Sequence, residues 1–402
     1  VDLVLFFQKL ERGAMLEQLV KEVASYRKPL GFGICRIDVG QLNPDKVLQA
    51  TYPVVNWEEN YSSGAVFIRA LIDTGVVIDF SDSEFIAPVT PQFVDRALEL
   101  FGEEVVTEGV GNRHRNIQVL KVLKEIFKEE FIDNYRIVFI WEDKEPKSVE
   151  VVYLKLYALS QRKVPLRSLN LAGIFKILHT CAWVGNVPIE LDYLRAHEIE
   201  LKLKDAYPEV EYVDKFPRYL SHIVPEKDNI RILDTAKVRF GAQLSPGTTV
   251  MPGASYINFN AGTEGAVMVE GRISSSAIVK EGTDIGGGAS ILGVLSGTNG
   301  NPITIGKNCL LGANSVTGIP LGDGAIVDAG IAILEGTKVY ISLEEFKKIK
   351  EVNPNWKETY KPVFKGIELA GLNGIHFRLD TTTGKMVAFR SKRKVELNRE
   401  LH

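Results

Sequence analysis

The sequence predicts three parts in order: an α/β N-terminal region, a left-handed parallel β-helix built from a hexapeptide repeat, and a small C-terminal cap. Three observations carry this reading. Helix-like and strand-like segments mix over the first 230 residues, a six-residue period runs from Val238 to about Tyr340, and the period stops after residue 342. In the periodic stretch an aliphatic residue opens each unit and a small one sits four places on. Examples are Leu244-Ser-Pro-Gly-Thr-Thr, Val279-Lys-Glu-Gly-Thr-Asp, Ile285-Gly-Gly-Gly-Ala-Ser, Ile305-Gly-Lys-Asn-Cys-Leu and Leu321-Gly-Asp-Gly-Ala-Ile. Repeats of this length mark a parallel β-helix, in which each hexad gives one short strand and a turn, and three hexads make a coil of roughly 18 residues. The opening aliphatics point inward and stack from rung to rung into a continuous core. The small residue turns inward near a corner, where Gly and Asn supply the φ > 0 conformations that corners demand.

The elements before the repeat follow from periodicity. Apolar residues at Leu16, Leu19, Val20 and Val23 predict an amphipathic helix from about Leu3 to Ser25, ended by Tyr26-Arg-Lys-Pro. Leu30-Gly-Phe-Gly-Ile-Cys-Arg-Ile-Asp alternates like a strand. Helices are expected near Asn60–Asp73, Pro91–Phe101 and Gln118–Glu130, and strands at Arg136–Trp141 and Val149–Leu156. Leu166–His179 suits a buried helix and Glu190–Lys204 an exposed, charged one. The region spans 1–230, with a subdomain junction near residue 110, around Gly109–Asn112. Pro208, Pro217 and Pro225 lead into the coil at 231–342, where Val294–Pro302 breaks the period and reads as a loop ejected from a corner. A helix near Leu343–Val352 begins the cap at 343–402 and closes the open end of the coil. Its tail reads as strands with a Thr381-Thr-Thr-Gly turn and a basic run, Arg390-Ser-Lys-Arg-Lys.

Composition excludes several classes of function. The 402 residues carry 48 Lys and Arg against 51 Asp and Glu, a net charge of −3 with the signs interspersed. That argues against nucleic acid or an anionic membrane as partner. No stretch of about 18 apolar residues occurs, and Val1–Phe7 lacks the basic flank and cleavage site of a leader. Cys35, Cys181 and Cys309 show no paired or metal-ligand spacing, so the expected setting is reducing and cytoplasmic.

The coil narrows the chemistry further. Enzymes on such scaffolds are mostly acyl-CoA or acyl-carrier transferases, with some zinc hydratases, by analogy of fold. Histidine is absent between His222 and His376, so a trihistidine zinc site and a histidine base within the repeat are both excluded, and carboxylates must do any proton work. Most acids of the coil fall at turns or outward positions. Glu270 differs: in Val267-Met-Val-Glu-Gly-Arg it follows an apolar run in a slot elsewhere often filled by Gly or Asn, and packing gives no motive for an acid there. Arg272 stands two residues on, placed to steady that charge or to hold an anionic substrate. Glu264 is the second candidate.

Four blocks then carry a resemblance: Met251-Pro-Gly-Ala-Ser-Tyr-Ile-Asn-Phe-Asn-Ala-Gly-Thr, Met268-Val-Glu-Gly-Arg-Ile-Ser, Asp284-Ile-Gly-Gly-Gly-Ala-Ser-Ile and Cys309-Leu-Leu-Gly-Ala-Asn-Ser. They resemble the tetrahydrodipicolinate N-succinyltransferases of the hexapeptide-repeat acyltransferases, in the longer form with a large N-terminal region. The likeness is close over about Leu244–Val339 and weaker at Lys365 and Phe377-Arg-Leu-Asp. The resemblance implies transfer of succinyl from succinyl-CoA to the amine of ring-opened L-2-amino-6-oxopimelate, on the diaminopimelate route to lysine. It places the family's acidic catalytic residue on Glu270, as a base on the amine or as a carboxylate acylated to a transient anhydride. It places succinyl-CoA contacts on Arg272, Gly287, Ser290, Ala313, Asp328, Ala329, Gly336 and Lys365, and on Arg378, Leu379, Asp380 and Thr381 in the tail. It implies succinyl-CoA as cosubstrate with no tightly bound cofactor, and a homotrimer with sites between neighbouring coils. Some relatives hold magnesium on the trimer axis with two carboxylates. Ala236 and Ala254 stand at those places here, so no metal is expected. The competing readings are an acetyl-CoA-dependent N-acetyltransferase on the same or a similar amine and a non-catalytic scaffold.

Overall fold

The computed structural model describes residues 19–21, 23, 25–102, 114–130, 133–294, 300–393 and 395–397. The chain packs as two compact units: one runs to Ala158 and resumes from Leu169 to Lys215, and the other takes Leu159–Ser168 and continues from Phe216. Among the described residues no helix is long and apolar enough to cross a membrane.

In the first unit, strand β1 (Gly31–Val39) lies between β2 (Val47–Thr51) and β4 (Tyr135–Ile140), and β4 also pairs with β3 (Glu84–Pro88); these pairings are antiparallel. Alternation in β1 sends Phe32 and Ile34 into one core with Phe67 of helix Tyr61–Asp73, Phe93 of helix Pro91–Phe101 and Leu120 of helix Arg115–Glu129. The second of these helices starts where Thr90 accepts a hydrogen bond from Phe93 N at 3.2 Å, with Pro91 at the first helical position. The charged segment near the unit's end forms helix Leu191–Leu203, as its pattern predicts. The helix expected over Leu3–Ser25 lies mostly outside the described residues, as do the junction at Gly109–Asn112 and the centre of the loop Val294–Pro302.

Two expected elements are corrected. Val149–Leu156 is not a strand but part of a helix, Val149–Ser160. That helix is buried along its whole length, so no amphipathic period betrays it, and Val149, Val151 and Val152 imitate a strand. Ser148 starts it by accepting a hydrogen bond from Val151 N at 3.2 Å. Leu166–His179 holds only one helical turn, Ile174–Ile177. There Ser168 donates to the Pro165 carbonyl and Asn170 accepts from Ala172 N, side-chain bonds that compete with a helix.

In the second unit the hexads form parallel strands in three sheets. On the first face Ile232, Val250, Val269, Ile285, Leu311 and Val327 stack in register. The second face stacks Ile257, Ile273, Ile291, Thr317 and Ile333, and the third stacks Thr263, Val279 and Ile305. The chain visits the three faces in turn, which is the arrangement of a parallel β-helix. The small residues four places on are fully buried, as at Ala277, Thr283, Ala289, Cys309, Ser315 and Ala325.

Two corners between the first and second faces depart from the hexad, and the earlier, from Val250 to Ile257, is one residue too long. Six positions separate Ile285 from Ile291, Leu311 from Thr317 and Val327 from Ile333. Only four separate Val269 from Ile273, so the corner at Glu270-Gly271 is two residues short. Beyond the repeat, helix Leu343–Val352 is capped by Ser342 and buries Phe346 against Trp356 and Phe364. Strand Ile375–Asp380 then returns to pair in parallel with Ile326–Val327, adding one more rung to the first face, and pairs on its other side with Lys385–Arg390.

Candidate active site

The corner after the first face forms an edge along which the candidate residues succeed one another. Stepping by one rung of about 4.8 Å, this edge carries Glu270, Gly286-Gly287, Gly312-Ala313, Asp328-Ala329 and Arg378. Main-chain bonds lock it: Gly288 N donates to Glu270 O at 3.2 Å, Asn314 N to Gly287 O at 2.9 Å and Gly330 N to Ala313 O at 2.9 Å.

Two of the edge glycines answer to packing. A side chain on Gly271 would strike the Ala289 carbonyl, and one on Gly286 would stand 2.7 Å from Leu311 O. Gly287 is different. A Cβ there would meet only Oε2 of Glu270, at 3.7 Å, and otherwise open space. The short corner therefore leaves a notch, with the half-buried Glu270 carboxylate on one side and bare backbone on the other. Among the described residues no hydrogen bond or ion pair engages the side chain of Glu270 or of Arg272. A carboxylate with an open lone pair beside accessible backbone can take a proton from a bound amine, and the neighbouring guanidinium can hold an anion.

Arg272 begins the second face just past the notch. It is exposed and lies in register with Ser290 on the next rung, which is buried at 4% exposure. Glu264 sits on the third face opposite Lys280, away from the Glu270 edge. Gly336 and Lys365 also lie elsewhere: Gly336 faces open space at the corner after Ile333, and Lys365 pairs with Lys338 just beyond it. Within one chain the structure does not bring these two to the edge that carries Glu270.

The tail residues divide. Leu379 and Thr381 are exposed. Asp380 is spent on its own turn, accepting from Thr382 N at 3.0 Å and Thr383 Oγ1 at 2.6 Å, and these bonds hold its carboxyl below the usual range. Asp328 and Arg378 are paired with each other, Nε donating to Oδ2 at 2.6 Å. The other oxygen of Asp328 lies 2.6 Å from Nε2 of His376. Burial pushes the Asp328 carboxyl up, but the bonds from Arg378 and His376 outweigh it and hold the group below its ordinary value.

His376 adds a histidine beside the coil without changing the reading of the repeat. The repeat itself has none, yet the returning strand seats His376 beside Ile326 as part of the next rung. No local signal in the sequence marks it, because its partner lies 48 residues away. At the two places where the resemblance would put metal ligands, Ala236 and Ala254 offer no donor side chain, and neighbouring Asp234 accepts a hydrogen bond from Ala236 N at 2.9 Å.

Comparison with known proteins then fixes the affiliation. Residues 302–335 match the hexapeptide repeat of succinyl-transferase, which sets the class. Residues 14–176 and 178–218 match the N-terminal and middle models of tetrahydrodipicolinate N-succinyltransferase. A Nitratiruptor protein named 2,3,4,5-tetrahydropyridine-2,6-dicarboxylate N-succinyltransferase is 61% identical over 96% of this chain and 98% of its own. A protein of the same name from Helicobacter pylori is 53% identical over 94% of this chain and 96% of its own. A crystal structure from Campylobacter jejuni, described as a candidate 2,3,4,5-tetrahydropyridine-2-carboxylate N-succinyltransferase, superposes with a TM-score of 0.89. It is 52% identical and covers 96% of this chain and 99% of that one. The chain belongs to the tetrahydrodipicolinate N-succinyltransferase family.

Proposed function

We propose that this chain transfers a succinyl group from succinyl-CoA to the amine of L-2-amino-6-oxopimelate, the ring-opened form of tetrahydrodipicolinate, in the diaminopimelate route to lysine. The observation that carries the reading is the unpartnered Glu270 carboxylate, facing bare Gly287 across the shortened corner. Its support from relatedness is the shared name of relatives 53–61% identical along nearly the whole chain.

In this mechanism Glu270 takes one proton from the α-ammonium, freeing the nitrogen lone pair to attack the thioester carbonyl. The C–N bond forms as the nitrogen gives up a second proton, and the tetrahedral centre then expels the thiolate. One proton returns through Glu270 to the departing sulfur and the other goes to solvent, leaving the N-succinyl amide and free CoA. Arg272, beside the notch, binds the far carboxylate of the succinyl group and favours it over acetyl. Ala313, Asp328, Ala329 and the tail residues Arg378, Leu379, Asp380 and Thr381 line the track of the carrier arm along the edge.

Our reading of the assembly is a cytoplasmic homotrimer of left-handed coils. Gly336 and Lys365, at a different corner from Glu270, then complete the site of a neighbouring subunit. The division near residues 230 and 342 into α/β region, coil and cap belongs to the same proposal.

The test is release of CoA thiol on adding acceptor to enzyme and succinyl-CoA. Glu270→Gln should lower kcat by roughly 10²–10⁴-fold, the range for loss of an acid–base group. Retention of near-wild-type turnover would remove Glu270 from the mechanism. Hydroxylamine trapping of a succinylated enzyme without acceptor would instead favour the anhydride route.

A further inference from the structure

His376 touches both groups that fix Arg378. The Arg378 guanidinium donates through Nε to Asp328 Oδ2, and its Cζ lies 5.2 Å from the centre of the Phe389 ring. His376 lies 2.6 Å from the other oxygen of Asp328, and its ring centre is 4.6 Å from that of Phe389, its cross-strand partner. The imidazole is buried at 6% exposure, whereas the Arg378 side chain is 52% exposed. Among the described residues the two Nη groups of Arg378 make no hydrogen bond to protein.

The neighbouring charges are spent otherwise. Arg390 donates to the carbonyls of Gly374 and Ser391, its own N–H goes to Glu345, and Lys385 lies over the Tyr340 ring. Arg378 is thus a guanidinium stacked on one side, hydrogen-bonded on another, and presenting a free planar fork. A fork held this way loses little orientational freedom on meeting a phosphate. At about 4.8 Å per rung, Arg378 stands four rungs, roughly 19 Å, from Glu270. A donor with its thioester at Glu270 meets Arg378 with its distant phosphates and not with its acyl group.

We propose that His376 is a positioning residue for the donor: it clamps Asp328 and Phe389, and so aims Arg378 at a phosphate of the carrier. This rests on reading the edge as the donor's track.

The experiment compares succinyl-CoA with succinyl-N-acetylcysteamine, a thioester without phosphates, on the full-length enzyme. His376→Leu should raise KM for succinyl-CoA about tenfold, the scale of one hydrogen bond to a charged group, with kcat kept. Its kcat/KM for the phosphate-free thioester should stay at the wild-type value. His376→Gln keeps an N–H for Asp328 and should recover most of the loss. Phe389→Leu, which removes the ring support alone, should show the same selective rise in KM and serves if His376→Leu does not fold. Equal losses with both donors, or a fall in kcat at constant KM, overturn the inference while succinyl transfer stands. If the wild type moves succinyl from neither thioester, the functional reading falls and this inference with it.

Discussion

The Cβ position of Gly287 stands 3.7 Å from Oε2 of Glu270, and beyond its own chain neighbours no other described heavy atom lies within 4 Å of it. The gap is therefore bounded on one side by the acid and on the other by bare backbone. Gly287 has no left-handed φ, so a side chain there strains nothing. Gly287→Ala should leave thermal stability within about 0.5 kcal/mol. It should lower kcat/KM roughly tenfold, the effect of a small misplacement at the reacting centre, and Gly287→Val should lower it further. Steady-state rates beside melting curves check this. A Val variant with full activity would show that substrate does not enter across Gly287.

Arg272 lies exposed beside the notch, with no partner among the described residues. On the proposed reading, replacing it with Ala removes a charge-assisted contact to the acyl carboxylate and leaves nothing buried unsatisfied. Preference for succinyl-CoA over acetyl-CoA should fall by about 10–100-fold, the value of such a contact. Competition between the two donors measures it, and an unchanged ratio would place donor choice elsewhere.

Asp328 sets a pH dependence. Its folded carboxyl sits below the unfolded value, so its stabilisation is complete above about pH 4 and is lost as pH falls through the lower, folded value. The melting temperature of the wild type should drop more steeply below pH 4 than that of Asp328→Asn, which has already lost the pairing at neutral pH. Parallel curves would show that the pair adds nothing to folding.

Ser148 supplies the start of the fully buried helix Val149–Ser160. Ser148→Ala should cost about 1 kcal/mol, read from urea unfolding, with catalytic constants unchanged.

Much of this was legible in the chain because the coil writes its geometry locally. Each inward aliphatic and each small corner residue recurs at a fixed interval, so Ile285, Ala289 and Ile291 could be placed without knowing what lies above them. Glu270 stood out because it breaks that pattern, and the structure adds why: its corner is two residues short. Val149–Leu156 misled because a helix buried on every side leaves no amphipathic trace, and its valines favour a strand. Leu166–His179 misled because Ser168 and Asn170 bind nearby backbone. His376 was invisible for a different reason. Its partner Asp328 is 48 residues away, and no periodicity links a tail strand to the rung it extends.

The rung supplied by Ile375–Asp380 is made well after the repeat whose first face it extends. At about 5–20 residues per second, the roughly 50 residues between Val327 and Phe377 take some three to ten seconds to synthesise. Through that interval the nascent coil carries a bare row of N–H and C=O groups, a template on which a second nascent chain can dock. Ribosomes crowded on one message would bring such unsealed edges together, so translation speed through this stretch bears on how much enzyme escapes aggregation.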